Sequence, residues 1–168
     1  MPKAAGDAGA LSSAAMAKAT KTTKPRAPRK KPVEAASRGL TPGQIAAVLP
    51  DSLAGLQAEI GNDGGRVLAG FRDPLGGHWQ LLAALPLEKV QATPYQRDLS
   101  ETHVKKLTGV IGRLDRFLDP IIAVRQDGMY WTPNGNHRRA ALAALGARSL
   151  VALVVPEAEI AFQILALN

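Results

Sequence analysis

The sequence predicts an α+β domain behind a disordered basic tail. Three observations carry that expectation. All of the net charge sits in the first 38 residues, where nine Lys or Arg face two acids and make up the whole +7 of the 168-residue chain. The remaining residues are balanced, with 12 basic and 12 acidic side chains. From residue 85 onward, short apolar runs of strand length alternate with segments of helical period, and Gly, Pro and Asn-Gly turns punctuate them.

Residues 1–38 are Ala, Lys, Thr and Pro with almost no large apolar side chain. Such a segment cannot bury enough surface to offset its chain entropy, so it is expected to be disordered. Lys21, Lys24, Arg26, Arg29, Lys30 and Lys31 form its dense basic stretch. A block of this kind binds DNA or RNA through phosphate neutralisation, or acts as a solubilising linker. The folded part carries no general basic surface. The absence of cysteine excludes disulfides, thiolate metal sites and a cysteine nucleophile. No apolar run approaches the roughly 18 residues of a membrane span, and the start of the chain is too polar for a signal peptide. These features predict a cytoplasmic protein without membrane contact.

Residues 39–84 read as an extension of helices and a hairpin. Thr41-Pro42 is a capping start, and Ile45, Val48 and Leu49 would continue one helical face up to Pro50. Asp51-Ser52 would cap a second helix through Leu53, Leu56 and Ile60. Residues 66–72 and 78–84 flank a Pro- and Gly-rich turn, which is a hairpin pattern. Nothing in this region signals chemistry, and Trp79 and His78 read as structural.

Residues 85–168 are more definite. A strand is expected over Leu85–Ala92, followed by the turn Thr93-Pro94-Tyr95-Gln96-Arg97-Asp98. Ser100 then caps a helix in which Val104, Leu107, Ile111, Leu114 and Leu118 repeat at three- and four-residue steps, up to Asp119-Pro120. A buried strand over Ile121–Arg125 turns at Gln126-Asp127-Gly128 into Met129-Tyr130-Trp131. A helix from His137 or Arg138 stops at Gly146. A strand over Leu150–Val155 and a helix over Glu157–Leu167 complete the pattern. Tyr130 and Trp131 read as core, and His103 as a surface residue. Aromatics are too scarce for a base-stacking surface.

The stretch Trp131-Thr132-Pro133-Asn134-Gly135-Asn136-His137-Arg138-Arg139 stands out. It predicts a strand, a tight turn and a helix start bearing three potentially cationic side chains. A helix N-terminus offers free N–H groups and the positive end of a dipole, and cations there are unfavourable unless an anion joins them. The stretch is therefore the expected phosphate site.

Taken together, three motifs resemble the N-terminal domain of ParB-type partition proteins in the ParB/sulfiredoxin superfamily, over about half of the chain. They are Pro94-Tyr95-Gln96-Arg97 after a strand, Leu118-Asp119-Pro120-Ile121-Ile122-Ala123-Val124-Arg125, and Gly135-Asn136-His137-Arg138-Arg139-Ala140-Ala141 with Gly146. The resemblance implies a small mixed sheet packed with helices. It also implies a site for CTP or another nucleoside triphosphate, with Mg²⁺ as a companion ion. Carried over, Gly135 permits close backbone approach, while Asn136, His137, Arg138 and Arg139 form the phosphate box. Gln96 and Arg97 line the same pocket, Pro120 and Ile121 lie near the base, and Asn168 reaches phosphate. It further implies a role in chromosome or plasmid partition, DNA as partner, a nucleoid-associated location and homodimers. The family's helix-turn-helix region would follow residue 168.

The departures are specific. Asn136 stands where the family box has an acid, and Leu167 where a second acid precedes Asn168. Carboxylates around Mg²⁺ are poorly replaced by an amide or a leucine. The residues thus fit binding better than cleavage. Two alternatives remain open: a nuclease or phosphotransferase using His137 as proton shuttle and Arg138 as clamp, and a passive protein tethered to DNA by its tail.

Overall fold

Thr41 and Pro42 do start a helix, but it is a single turn. The computed structural model describes residues 38–94 and 98–164, so the basic tail lies outside the described residues. The first helix, α1, spans Pro42–Ile45. The expected continuation fails: Ala46 is extended at φ −79°, ψ 108°, and Val48 is 92% exposed. One turn fixes more backbone than its hydrogen bonds offset, and Pro50 biases Leu49 towards extended backbone. Leu49 instead packs beside Gly70 on the core. A 3-10 turn over Asp51–Leu53 leads into α2, Ala54–Asn62, which buries Ile60.

The hairpin follows as strands β1, Arg66–Arg72, and β2, Trp79–Pro86. Its loop is held by Asp73, whose carboxylate accepts the N–H groups of Leu75, Gly76 and His78 at 2.9, 2.8 and 2.6 Å. Those donors, that of Gly76 foremost, hold its pKa below the ordinary value. The strand expected over residues 85–92 is instead two. Leu85 and Pro86 complete β2, a 3-10 turn covers Leu87–Lys89, and β3 is only Val90–Ala92. Pro86 has no N–H to continue a ladder, so the chain turns there.

Helix α3, Glu101–Leu114, is capped by Ser100, whose hydroxyl accepts from the His103 N–H at 3.3 Å. It stops one turn earlier than its apolar pattern suggests, because Asp115 takes a left-handed conformation at φ 47°. Asp tolerates that region better than most residues, and Leu118 is left 72% exposed. β4, Ile121–Gln126, and β5, Met129–Asn134, join through Asp127 and Gly128 at φ 54° and 72°, a primed turn that matches strand twist. Then come α4, Asn136–Ala144, β6, Ser149–Val154, and α5, Ala158–Ile164.

One six-stranded mixed sheet results, in the order β1-β2-β6-β4-β5-β3. The β1–β2 hairpin is part of it, since β2 pairs antiparallel with β6 from Leu81↔Val154 to Pro86↔Ser149. Residues 39–84 therefore share one sheet and one core with the rest of the described chain. Period-two burial places Leu81, Ala83 and Leu85 of β2 on the same face as Leu150, Ala152 and Val154 of β6. Leu53, Ile60 and Leu142 cover that face. Val124, Val155, Ile122 and Ile160 form a smaller cluster of their own.

A polar cluster ties α2 to the middle of the sheet. Arg125 bonds Asp63 through Nε at 2.7 Å and Nη2 at 3.4 Å, and Glu59 through Nη1 at 2.9 Å. The Tyr130 hydroxyl donates to Asp63 at 2.9 Å. Hydrogen bonding from Arg125, then from Tyr130, lowers the Asp63 pKa against the opposing effect of burial. Burial first, then the bond to Asp63, raises that of Tyr130. A phenol favoured in its neutral form adds stability that is complete below the unfolded value of about 10 and is lost as pH rises above it. Tyr130 is thus expected to resist ionisation until the chain unfolds in alkali. Absorbance at the tyrosinate band, followed beside circular dichroism, checks this; a phenol titrating near 10 with the fold intact would contradict it.

Candidate functional site

Strand register brings three chain junctions to one end of the sheet. β3 and β5 run parallel, with Ala92 opposite Thr132, so their C-terminal ends lie side by side. β4 is antiparallel to β5, with Ile122 opposite Asn134, so the Asp119-Pro120 entry to β4 reaches the same end. The starts of α3 and α4 meet there too, where the Ser100 N–H donates to His137 Nε2 at 3.1 Å. Between Ile122 and Val124, three residues of β4 face the four from Trp131 to Asn134. The extra residue in β5 falls where Pro133 has no N–H to pair. Ligands of open α/β sheets sit outside the carboxyl ends of strands, beside helix N-termini.

Gly135 opens α4 at φ 149°, ψ 6°. A Cβ there would lie 2.5 Å from Ile121 Cγ2 and 3.2 Å from Thr132 Oγ1. Only glycine lets the turn settle so closely onto the end of β4. No side chain caps the helix, and its first turn holds no acid. The first bond of the turn is from the Arg139 N–H to the Gly135 carbonyl at 2.9 Å. The N–H groups ahead of it are the ones that an α-helix leaves without intrahelical acceptors.

The cations around this turn are already oriented. Arg138 Nη1 meets the Asp119 carboxylate at 2.7 Å and the carbonyls of Asp119 and Pro120 at 3.1 Å each. Its Nη2 lies 3.5 Å from Asn134 Oδ1. Arg139 Nε donates to Asn136 Oδ1 at 3.2 Å. His137 Nε2 accepts from the Ser100 N–H, and the His103 ring stands edge-on to the His137 ring at 4.9 Å. Beneath the turn, the hydroxyls of Thr93 and Thr132 are buried without a hydrogen-bond partner among the described residues.

Of the residues expected at a phosphate site, Gly135, Asn136, His137, Arg138, Arg139 and Pro120 come together here. Ile121 is fully buried under Gly135, which makes it a floor to the turn. Gln96, Arg97 and Asn168 lie outside the described residues, as do Lys21, Lys24, Arg26, Arg29, Lys30 and Lys31. Sequence reasoning did not find the Asp119–Arg138 pair or the two buried threonines. Asp119 sits 19 residues before its partner, and no local pattern links them. Among the described residues no three His, Asp or Glu side chains gather as a metal site. Amides, imidazole and guanidinium suit an anion, and the carboxylate that Arg138 binds is already paired. The donor set does not fit a carboxylate-held Mg²⁺.

No protein-family model matches the chain, and no curated protein does. Solved structures do show likeness. A C-terminally truncated chromosome-partitioning protein ParB from Caulobacter crescentus, complexed with CTP-γ-S, is 24% identical at a TM-score of 0.43, covering 50% of this chain and 48% of that one. The chain resembles ParB-type and sulfiredoxin structures alike. Sulfiredoxin from Arabidopsis thaliana is 26% identical at a TM-score of 0.42, covering 51% of this chain and 96% of that one. A free serine kinase in complex with AMP is 20% identical at 0.40, over 44% of this chain and 30% of the kinase. The chain thus spans about half the length of the ParB structure to which it is similar. No helix among the described residues is long and apolar enough to cross a membrane.

Proposed function

We infer that the α4 turn holds the phosphates of a nucleoside triphosphate, CTP in the first instance, and that the protein acts on DNA in partition or a related plasmid process. The observation that carries the reading is the uncapped start of α4: Gly135 at φ 149°, no acid in the first turn, and His137, Arg138 and Arg139 around it. A helix dipole and guanidinium forks in one place favour a polyanion. The motif resemblance supports the same ligand class and the cytoplasmic, nucleoid-associated setting, with DNA held through the basic tail. The phosphotransferase or nuclease reading has less support, because His137 Nε2 is engaged by the Ser100 N–H.

Calorimetric titration with CTP, ATP, AMP and inorganic triphosphate tests the binding. Saturable binding of triphosphates is expected. Loss of a charged hydrogen bond in Arg139→Ala is expected to weaken it by roughly tenfold, from about 1.5 kcal/mol. Absence of any saturable binding at millimolar ligand would remove the reading.

A further inference from the structure

The Arg138 guanidinium, the strongest anion fork at the turn, is not idle. Its Nη1 already carries a carboxylate from Asp119 at 2.7 Å, backed by two carbonyls at 3.1 Å. The two partners differ in surroundings: the Arg138 side chain is 20% exposed, whereas that of Asp119 is 77% exposed. Asp119 lies in the link between α3 and β4, which begins at the left-handed Asp115 and leaves Leu118 exposed. It is thus an exposed acid held against a largely buried base. The fully buried Thr132 hydroxyl, 3.2 Å from where a Gly135 Cβ would stand, has no hydrogen-bond partner among the described residues and is a polar group left over at the same turn.

We propose that Asp119 is a built-in competitor for the site, an anion of the chain itself that occupies Arg138 until a phosphate group displaces it. The proposal rests on the α4 turn being a phosphate site. An exposed ion pair is worth little, so the occupant is displaceable by a ligand of higher charge density. A phosphate group accepts from a guanidinium as a carboxylate does, and its greater charge wins the exchange. Displacement frees the Asp119 carboxylate, while the Asp119 and Pro120 carbonyls keep their bonds to Nη1 and hold the guanidinium in place for the incoming phosphate. The acid also sets selectivity, since a monocarboxylate gains no advantage over the carboxylate already in place.

The test uses the full chain and inorganic triphosphate as probe, by calorimetry, in four proteins: wild type, Asp119→Asn, Arg138→Ala and the double variant. Asp119→Asn keeps the side chain's size and removes its charge. It is expected to tighten triphosphate binding by roughly two- to fivefold, the span of an exposed ion pair. In the Arg138→Ala background the same change should have no effect, because the competition acts through that guanidinium. Binding only by Asp119→Asn, with none by wild type, would be the competitor at its strongest. Unchanged or weaker binding by Asp119→Asn overturns the proposal while leaving the site. Equal tightening in both backgrounds overturns it as well, since simple loss of a negative charge then explains the gain. Failure of all four proteins to bind overturns the site and its competitor together.

Discussion

Gly135→Ala should cost about 3 kcal/mol of folding stability, combining roughly 1–2 kcal/mol for a side chain at positive φ with overpacking of about 1–3 kcal/mol. The added methyl would press on Ile121 Cγ2 at 2.5 Å and on Ile121 Cβ at 2.7 Å, and Ile121 is a fully buried core residue with no room to retreat. The same change at Gly146, φ 72° with nothing within 4 Å, carries only the backbone part. Chemical denaturation of the two variants side by side reads the difference directly. Gly146→Ala is expected to lose about 1 kcal/mol. Equal losses would mean that Gly135 serves only its backbone angle, and the account of a turn seated on β4 would be wrong.

The second large effect is expected at Asp63. Asp63→Ala leaves the Tyr130 hydroxyl buried without its acceptor, and Arg125 with only the half-exposed Glu59. Breaking a buried pair costs about 3–5 kcal/mol, and the 11% and 19% side-chain exposure of Asp63 and Arg125 reduces this to roughly 2–3 kcal/mol. The melting temperature should fall by roughly 6–12 °C. Glu59→Ala, which removes the exposed arm alone, should lose less than about 1 kcal/mol. The sign with pH follows from the lowered Asp63 pKa: its contribution is present above the unfolded value of 3.8 and is lost as pH falls through the folded one. A thermal scan at pH 7 that places Asp63→Ala within a degree of wild type would contradict this role.

Much of this was legible in the sequence, and the parts that were not have physical reasons. Ser100, Gly146 and the Asp127-Gly128 turn announced the limits of α3, α4 and the β4–β5 hairpin, because caps and positive-φ turns are local chemistry. The end of α3 was misread because Leu118 continues the apolar period, yet the left-handed Asp115 stops the helix before it. Residues 85–92 read as one strand because Leu85, Leu87, Val90 and Ala92 recur along them, whereas Pro86 and the pairing of β2 with β6 divide the stretch. The α4 turn was visible as a phosphate-like motif, since its residues are contiguous. What fills Arg138 was not, because Asp119 reaches it only through the register of β4 against β5. For the same reason Asp63 gave no signal: its partners lie 62 and 67 residues away.

Location of the anion tests the central claim more directly than affinity does, because the lysines of the N-terminal tail also attract polyphosphate. Backbone amide NMR during titration with inorganic triphosphate separates the two sites residue by residue. The account predicts the largest shifts at Gly135, Asn136, His137, Arg138 and Arg139, with Asp119 moving in step as its carboxylate is released. Shifts confined to residues 1–38, with the α4 amides unchanged at saturation, would contradict it.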